Sequence, residues 1–433
     1  MLNLDRIRRA AVLCSFLLFT SVMFGETVDS TIHVSGSKLI GVCGDTIVLR
    51  GVNYAPYNWG YDSSQLQLNE VAKTGANAVR MTWYANSAAP YYTDALLDSA
   101  IGACVRNKMI AILELHDFTC DPAIADIETL VSWYSTPAHV AIFHKYQNSL
   151  IINVANEAGT VDGSSDYNQA EQDYQNEYTQ LIMELRSVNI TVPLMIDAPD
   201  CGTSINVFND LALAMQANDP IQNLIFSTHT YWENYSGNDS ATTANFINAA
   251  AAYNYPLVFG EVANYQDNGG DTCAWLLTYR SVLRASVQLN LGWLIWSWDN
   301  DICSKRQISN DGNYSNLTAY GSDIVNNAVY GLHNTAKPDR NLSNGGSCTH
   351  TTAGIENLTA AKPYLLYNDN GTSYLKSFSN ITMQIHLFDV LGREILSEEI
   401  NPGQTISLLS IGMGFVQVRD PNTTYVSKFI SMK

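Results

Sequence analysis

The sequence predicts an α/β fold, a (β/α)8 barrel followed by a small C-terminal β-sandwich, on three observations. Eight short apolar or β-branched runs lie between residues 47 and 298 at intervals of about 35 residues, the period of one strand and its returning helix. Helical stretches separate most of these runs. After about residue 340 the helical pattern gives way to closely spaced strand-like runs.

In order, the predicted barrel strands are Ile47 to Tyr54, Ala78 to Trp83, Met109 to His116, Leu150 to Asn156, Val192 to Asp197, Leu224 to Tyr231, Leu257 to Val262 and Trp293 to Trp298. Each has strand length and β-branched enrichment. Ser64 to Thr74, Tyr92 to Asn107, Tyr167 to Val188 and Thr242 to Tyr253 read as helices between them. A doubly wound open sheet is the rival arrangement. It requires a glycine-rich phosphate loop after its first strand, and the chain there reads Gly51-Val52-Asn53-Tyr54.

The C-terminal strands are expected at Tyr364 to Tyr367, Tyr374 to Phe378, Met383 to Val390, Glu394 to Ile400, Thr405 to Leu409, Gly414 to Arg419 and Tyr425 to Ser431. Seven short strands separated by turn residues suit a sandwich. Before them, 341–359 is rich in Asn, Gly, Ser and Thr and reads as a linker. The catalytic domain is therefore placed at 30–340 and the C-terminal domain at 360–433.

Of 433 residues, 46% are apolar and 15% charged, with 23 Lys plus Arg against 41 Asp plus Glu and a formal charge of -18. This composition supports a packed core and excludes a disordered chain. Without a basic cluster, nucleic acid and anionic membrane surfaces are not expected partners. Arg6, Arg8 and Arg9 precede an apolar run from Ala10 to Phe19, which reads as a signal peptide over 1–25 and a secreted or cell-surface protein. That run is short for a membrane span, so no span is expected in the mature protein, which is expected to be a monomer. Seven cysteines follow the signal, an odd number. Cys273 with Cys303 is a plausible bridge, and no C-x-x-C pair marks a zinc or redox site.

In a barrel enzyme the working residues sit where strands run into the following loops. Those positions carry Asn53, Arg80, His116 with Asp117, Asn156 with Glu157, Asp197, His229 with Tyr231, Glu261, and Trp296 with Trp298. Glutamates from strands four and seven provide the pair that glycosidic cleavage requires, one carboxyl as nucleophile and one as acid then base. Arg80 beside one of them would keep it ionised. His229 and Tyr231, two apart on a strand, face the same way. Asp197, Asp299 and Asp301 lack any calcium-loop or zinc-helix pattern, so no metal or cofactor is expected. No G-x-S-x-G elbow supports a serine hydrolase.

The segments Asn77-Ala78-Val79-Arg80, Leu113 to Asp117, Ile151 to Glu157, Phe226 to Tyr231, Phe259-Gly260-Glu261 and Trp296-Ser297-Trp298 resemble glycoside hydrolase family 5 over roughly residues 32–335. Eight active-site positions of that family match in order: Arg80, His116, Asn156, Glu157, His229, Tyr231, Glu261 and Trp296. The resemblance implies that Glu157 is the general acid/base and Glu261 the nucleophile. It implies that Asn156 binds the sugar 2-hydroxyl and Trp296 floors the subsite at the cleavage point. Arg80 and Tyr231 would orient Glu261, and His116 and His229 would line the same subsite. Trp59, Trp83 and Trp232 are candidates for stacking on outlying sugar rings, whereas Trp133 and Trp275, in helical stretches, read as core.

Within the family the chain is most similar to bacterial endo-β-1,4-mannanases, through Ile32 to Leu39, Leu49 to Asn53, Leu194 to Pro199 and Trp296 to Trp298. The expected activity is retaining hydrolysis of internal β-1,4-mannosidic bonds in a β-mannan or related β-1,4-glycan. An endo-β-1,4-glucanase with the same machinery is the alternative, and a non-catalytic polysaccharide-binding protein is a third. After Ala198-Pro199 the mannanases tend to have an aromatic residue and Gly-Gln, where this chain has Asp200-Cys201-Gly202-Thr203. Leu387 to Glu394, Gly414 to Val418 and the closing Lys428 to Lys433 resemble the type IX secretion sorting domain, with a carbohydrate-binding module as the rival. That resemblance implies the type IX secretion machinery as a partner.

Overall fold

The computed structural model describes residues 31–56, 67–85, 92–268 and 273–348, and then 364–369, 372–377, 379–389, 394–408, 413–419 and 424–430. The expected signal peptide, Trp59, and the part of the expected linker from 349 onward lie outside the described residues. Two compact units divide between Thr349 and His350.

The first unit is a closed barrel of eight parallel strands: β1 Arg50–Tyr54, β2 Ala78–Trp83, β3 Ile110–Leu115, β4 Leu150–Asn153, β5 Leu194–Asp197, β6 Leu224–His229, β7 Leu257–Val262 and β8 Gly292–Ile295. Each pairs with its neighbours in sequence, and β8 closes on β1. Every residue of these strands is buried, as expected where one face fills the barrel and the other meets a layer of helices. The runs read from the sequence are these strands, with ends up to three residues shorter, except that β8 begins one residue earlier, at Gly292.

The helices are set by local chemistry. Thr93, Asp166 and Asp239 cap those at Asp94–Arg106, Tyr167–Ser187 and Ser240–Ala251, each side chain accepting from a backbone N–H in the first turn. Such caps are worth about 1 kcal/mol each. Trp275 is not helical: it lies in a two-residue strand paired with Tyr265–Gln266.

An antiparallel sheet of His33–Ser35, Lys38–Ile40 and Thr46–Ile47 precedes the barrel. Ile32, Leu39 and Ile47 join Ile110, Ile151 and Met195 in one core cluster, so this sheet covers the end of the barrel where the strands begin. Cys43 bonds to Cys348, and Arg340–Ser343 is a helix with Asn341 and Leu342 buried. The barrel unit thus runs past residue 340, into the segment whose composition reads as a linker. Cys273 bonds to Cys303 and Cys120 to Cys201, leaving Cys104 free and buried. Among the described residues no helix is long and apolar enough to cross a membrane.

The second unit has two antiparallel sheets. One pairs Tyr364–Asp369, Thr372–Ser377 and Thr405–Leu408; the other orders Glu394–Ile400, Met383–Asp389, Met413–Arg419 and Thr424–Ile430.

Candidate active site

Period-two alternation brings polar side chains to one end of the barrel interior. The inward positions Ala78, Ile110, Ile112, Ile151, Met195 and Ile225 belong to the apolar cluster inside the strands. Further along the same faces stand Arg80, Glu114, Asn153, Asp197 and, beyond Ser227, His229. Side chains two apart on a strand share a face, so the apolar layers support a polar one at the strands' C-terminal ends.

Arg80 organises that layer. Its Nε donates to Asn153 Oδ1 at 2.7 Å, Nη1 to Asn53 Oδ1 at 3.1 Å and Glu261 Oε1 at 2.9 Å, and Nη2 to Asn156 Oδ1 at 2.6 Å and Asp197 Oδ2 at 3.0 Å. All five N–H groups of the guanidinium are used. Burial opposes its charge, but Glu114, Asp197, Glu261 and Glu157 outweigh burial and raise its pKa above the ordinary value.

Glu261 is aimed by an irregularity in β7. Phe259 pairs with Thr228 while Glu261 pairs with His229, so Gly260 is an extra residue in the ladder. A bulge of this kind redirects the side chain that follows it, and Asn53 Nδ2 holds the Gly260 carbonyl at 2.9 Å. Glu261 Oε1 accepts from Arg80, and Oε2 accepts from the Tyr231 hydroxyl at 2.7 Å. Burial raises the Tyr231 pKa well above its ordinary value, so this hydroxyl keeps its proton and donates. Acceptance on both oxygens is the role of a carboxylate anion.

Glu157 has different surroundings. β4 ends at Asn153, and Glu157 follows in a turn with a φ of 51°, a conformation uncommon outside glycine. Its Oε1 lies 2.6 Å from His229 Nδ1, and its backbone N–H points to Asp197 Oδ2 at 3.4 Å. Burial raises the Glu157 pKa, offset in part by His229. Burial works against charge on His229 too, yet Glu261 and Asp197 prevail and push it up to about 10. His229 Nε2 lies 3.5 Å from Asp197 Oδ2, a charge contact. Burial alone would raise Asp197, but His229 and Arg80 hold it below the usual carboxylate range. An oxygen of Glu157 and one of Glu261 lie within 4.8 Å of each other.

A cleft of about 900 Å³ opens over the pair, lined by His116, Asn156, Tyr231 and Trp296 among others. Trp296, joined to Ser297 by a cis peptide, stacks on His116 with ring centroids 6.0 Å apart. Its Nε1 donates to Asp301 Oδ2 at 2.5 Å, and Arg306 holds Asp301. His116 Nδ1 lies 3.0 Å from Glu114 Oε1.

A family model for cellulase, glycosyl hydrolase family 5, matches residues 42–302. The chain belongs to glycosyl hydrolase family 5. Its similarity to a mannan endo-1,4-beta-mannosidase of Salipaludibacillus agaradhaerens is 28% identity over 321 residues, 72% of this chain and 97% of the relative. A second enzyme of that name, from Cellvibrio japonicus, is 27% identical, with 82% of this chain and 80% of the relative covered. Among solved structures, the beta-mannanase of Streptomyces thermolilacinus superposes with a TM-score of 0.62 at 26% identity over 72% of this chain and 99% of that one. It has also been solved with mannohexaose.

In this family 5 barrel the structure gathers Arg80, His116, Asn156, Glu157, His229, Tyr231, Glu261 and Trp296 around one site. Arg80, expected to orient Glu261, and His229, expected to line the sugar subsite, are fully buried and do not line the cleft; Arg80 holds Glu261 and His229 holds Glu157. Trp83 and Trp232, candidates for sugar stacking, are core residues at 1% and 3% exposure. Trp232 packs edge-on against Phe246 and Phe259. Trp133 is half-buried against the core. Four contributors were not legible as site residues: Glu114 beneath His116, Asn153 beneath Arg80, Asp301 beside Trp296, and the disulfide of Cys120 with Cys201 beside Glu157. The period-two face shared by Glu114 and His116, and by Asn153 and Ile151, is the signal that could have found two of them.

Proposed function

We propose that the protein is a secreted retaining endo-β-1,4-mannanase. The observation that carries the reading is the spacing and unequal surroundings of Glu157 and Glu261. Retaining glycosidases hold their carboxyls about 5–5.5 Å apart, closer than the inverting ones, and one oxygen of each residue in this pair lies within 4.8 Å of the other, which favours the closer arrangement. Glu261, accepting from Arg80 and Tyr231, attacks the anomeric carbon. The glycosidic C–O bond breaks, and Glu157 gives its proton to the leaving oxygen. Water then attacks the anomeric carbon, returning a proton to Glu157 and freeing Glu261. Asn156, clamped by Arg80 on one side and donating to Thr119 Oγ1 at 2.9 Å on the other, is the residue this reading assigns to the sugar's 2-hydroxyl. Trp296 gives that sugar a flat apolar floor.

The mannan preference is supported by the relatives' activity and by the mannohexaose complex of the Streptomyces enzyme. The test is release of reducing ends from linear mannan, glucomannan and carboxymethyl cellulose, with proton NMR of the first product. Mannan cleavage with the β anomer formed first is expected. Preference for carboxymethyl cellulose would make the protein a glucanase, and binding without hydrolysis would make it a binding protein.

For the second unit, a β-sandwich that serves as a type IX sorting domain is the reading we adopt. It is supported by a single core drawn from both sheets, with Tyr364, Leu375 and Leu408 from one and Ile385, Leu387 and Val416 from the other. The basic and then apolar N-terminal segment supports export. Removing 360–433 should leave mannan hydrolysis intact and retain the protein in the cell, as followed by fractionation in a host with that secretion machinery.

A further inference from the structure

We propose that the Cys120–Cys201 disulfide is a positioning element for the general acid Glu157 and part of the cleft wall beside it. The inference deepens the mannanase reading and rests on it. Cys120 lies in the loop after β3 and Cys201 in the loop after β5, and both line the cleft. Cys120 Sγ is 3.3 Å from Glu157 Oε2, and the two sulfurs and a Glu157 oxygen lie within 4.8 Å of one another. The two oxygens of the acid thus have separate neighbours: Oε1 faces His229, and Oε2 faces the disulfide.

A disulfide sulfur carries no proton and cannot donate to Oε2. It therefore offers nothing that would stabilise the carboxylate on that side, which suits an oxygen that must hold a proton and release it to a leaving group. A thiol or a hydroxyl in its place would be a donor and would favour the anion.

The bond also joins two parts of the acid's support. Asp200, next to Cys201, accepts from the backbone N–H groups of Val161, Asp162 and Gly163, just beyond Glu157. On the other side of Cys201, the Gly202 carbonyl accepts from His229 N–H at 2.8 Å, and the Thr203 carbonyl accepts from Trp232 Nε1 at 3.0 Å. Cys120, Glu157, Asp200 and Cys201 all have φ between 51° and 58°. Four non-glycine residues in this sparsely populated region persist where neighbouring contacts over-determine them.

The test compares two substrates in C120S/C201S and C120A/C201A variants. Mannohexaose requires protonation of its leaving oxygen; 2,4-dinitrophenyl β-mannobioside expels a stable phenolate without it. Misplacing a catalytic group by about 1 Å costs about 100-fold, so kcat/KM on mannohexaose should fall by about that factor. On the dinitrophenyl substrate kcat/KM should stay near the wild-type value. The alkaline limb for mannohexaose should move to lower pH in the serine pair, whose hydroxyls donate to Oε2, and less in the alanine pair.

Reduction of the folded wild type by a water-soluble phosphine avoids any substitution. The phosphine gives two electrons and becomes its oxide, water supplies the oxygen and two protons, and two thiols form; labelling them locates the opened bond. Selective loss on mannohexaose when Cys120 and Cys201 are labelled supports the proposal. Equal changes on both substrates, or an unmoved alkaline limb, overturn it. Failure of the wild type on both substrates would instead overturn the mannanase reading.

Discussion

His229 Nδ1 stands 2.6 Å from Glu157 Oε1, with both side chains buried. The imidazole pulls the acid's pKa down against the upward push of burial. Its removal in His229→Ala should therefore raise the Glu157 pKa and move the alkaline limb of kcat/KM to higher pH. A hydrogen bond to a charged group is worth about 1.5–3 kcal/mol, so kcat/KM at neutral pH should fall by about 10- to 100-fold. A pH–rate profile on mannohexaose reads both effects, and a limb moving to lower pH would contradict the assignment.

The same histidine links stability to pH. Its folded pKa is raised to about 10, above its ordinary value of about 6.5. The folded state binds that proton more tightly than the unfolded state does. The stabilisation is therefore complete below about pH 6.5 and is lost as pH rises through about 10. Urea midpoints between pH 6 and 10 should decline in the wild type and decline less in His229→Ala.

Arg80 makes five donated bonds, and lysine can make at most three from a single point. Arg80→Lys should leave carboxylate and amide oxygens around Glu261 and Asp197 without donors. A buried acceptor left without its donor costs about 1–3 kcal/mol, and Arg80→Lys leaves at least two. A loss of that size in chemical denaturation is expected, along with near-complete loss of mannan hydrolysis. Tyr231→Phe removes only the donor to Glu261 Oε2, so its stability should stay near wild type while kcat/KM falls by about tenfold. Glu261→Ala takes a buried partner from Arg80, so its thermal midpoint should fall while the fold is kept, and it should show no turnover.

The eight strands were legible because each is buried on both faces, which leaves short β-branched runs bounded by turns. Glu157 and Glu261 were legible as carboxylates ending such runs. Trp83 and Trp232 misled for the opposite reason. Position next to a strand end does not tell whether an indole faces the cleft or the helix layer, and here the indoles meet Tyr92 and Phe246 in the core. The Cys120–Cys201 pair was illegible because 81 residues separate its members, and only closure of the barrel brings those loops together. Arg340–Ser343 was hidden by composition: an Asn- and Ser-rich segment has the look of a linker until burial of Asn341 and Leu342 folds it onto the barrel unit.

Gly202 links that loop to the acid. Its φ is 74°, and a Cβ there would lie 2.8 Å from the His229 ring. Gly202→Ala therefore carries two penalties, a backbone cost of about 1 kcal/mol and an overpacking cost of about 1–3 kcal/mol. Gly237 separates the two, because its φ is 54° with nothing within 4 Å of the added Cβ. Gly237→Ala should lose stability through the backbone alone and keep full activity. Gly202→Ala should lose more stability and also push His229 from Glu157, so its alkaline limb should follow His229→Ala to higher pH. If the two alanine variants gave the same pH–rate profile, the path from the loop through His229 to the acid would be refuted.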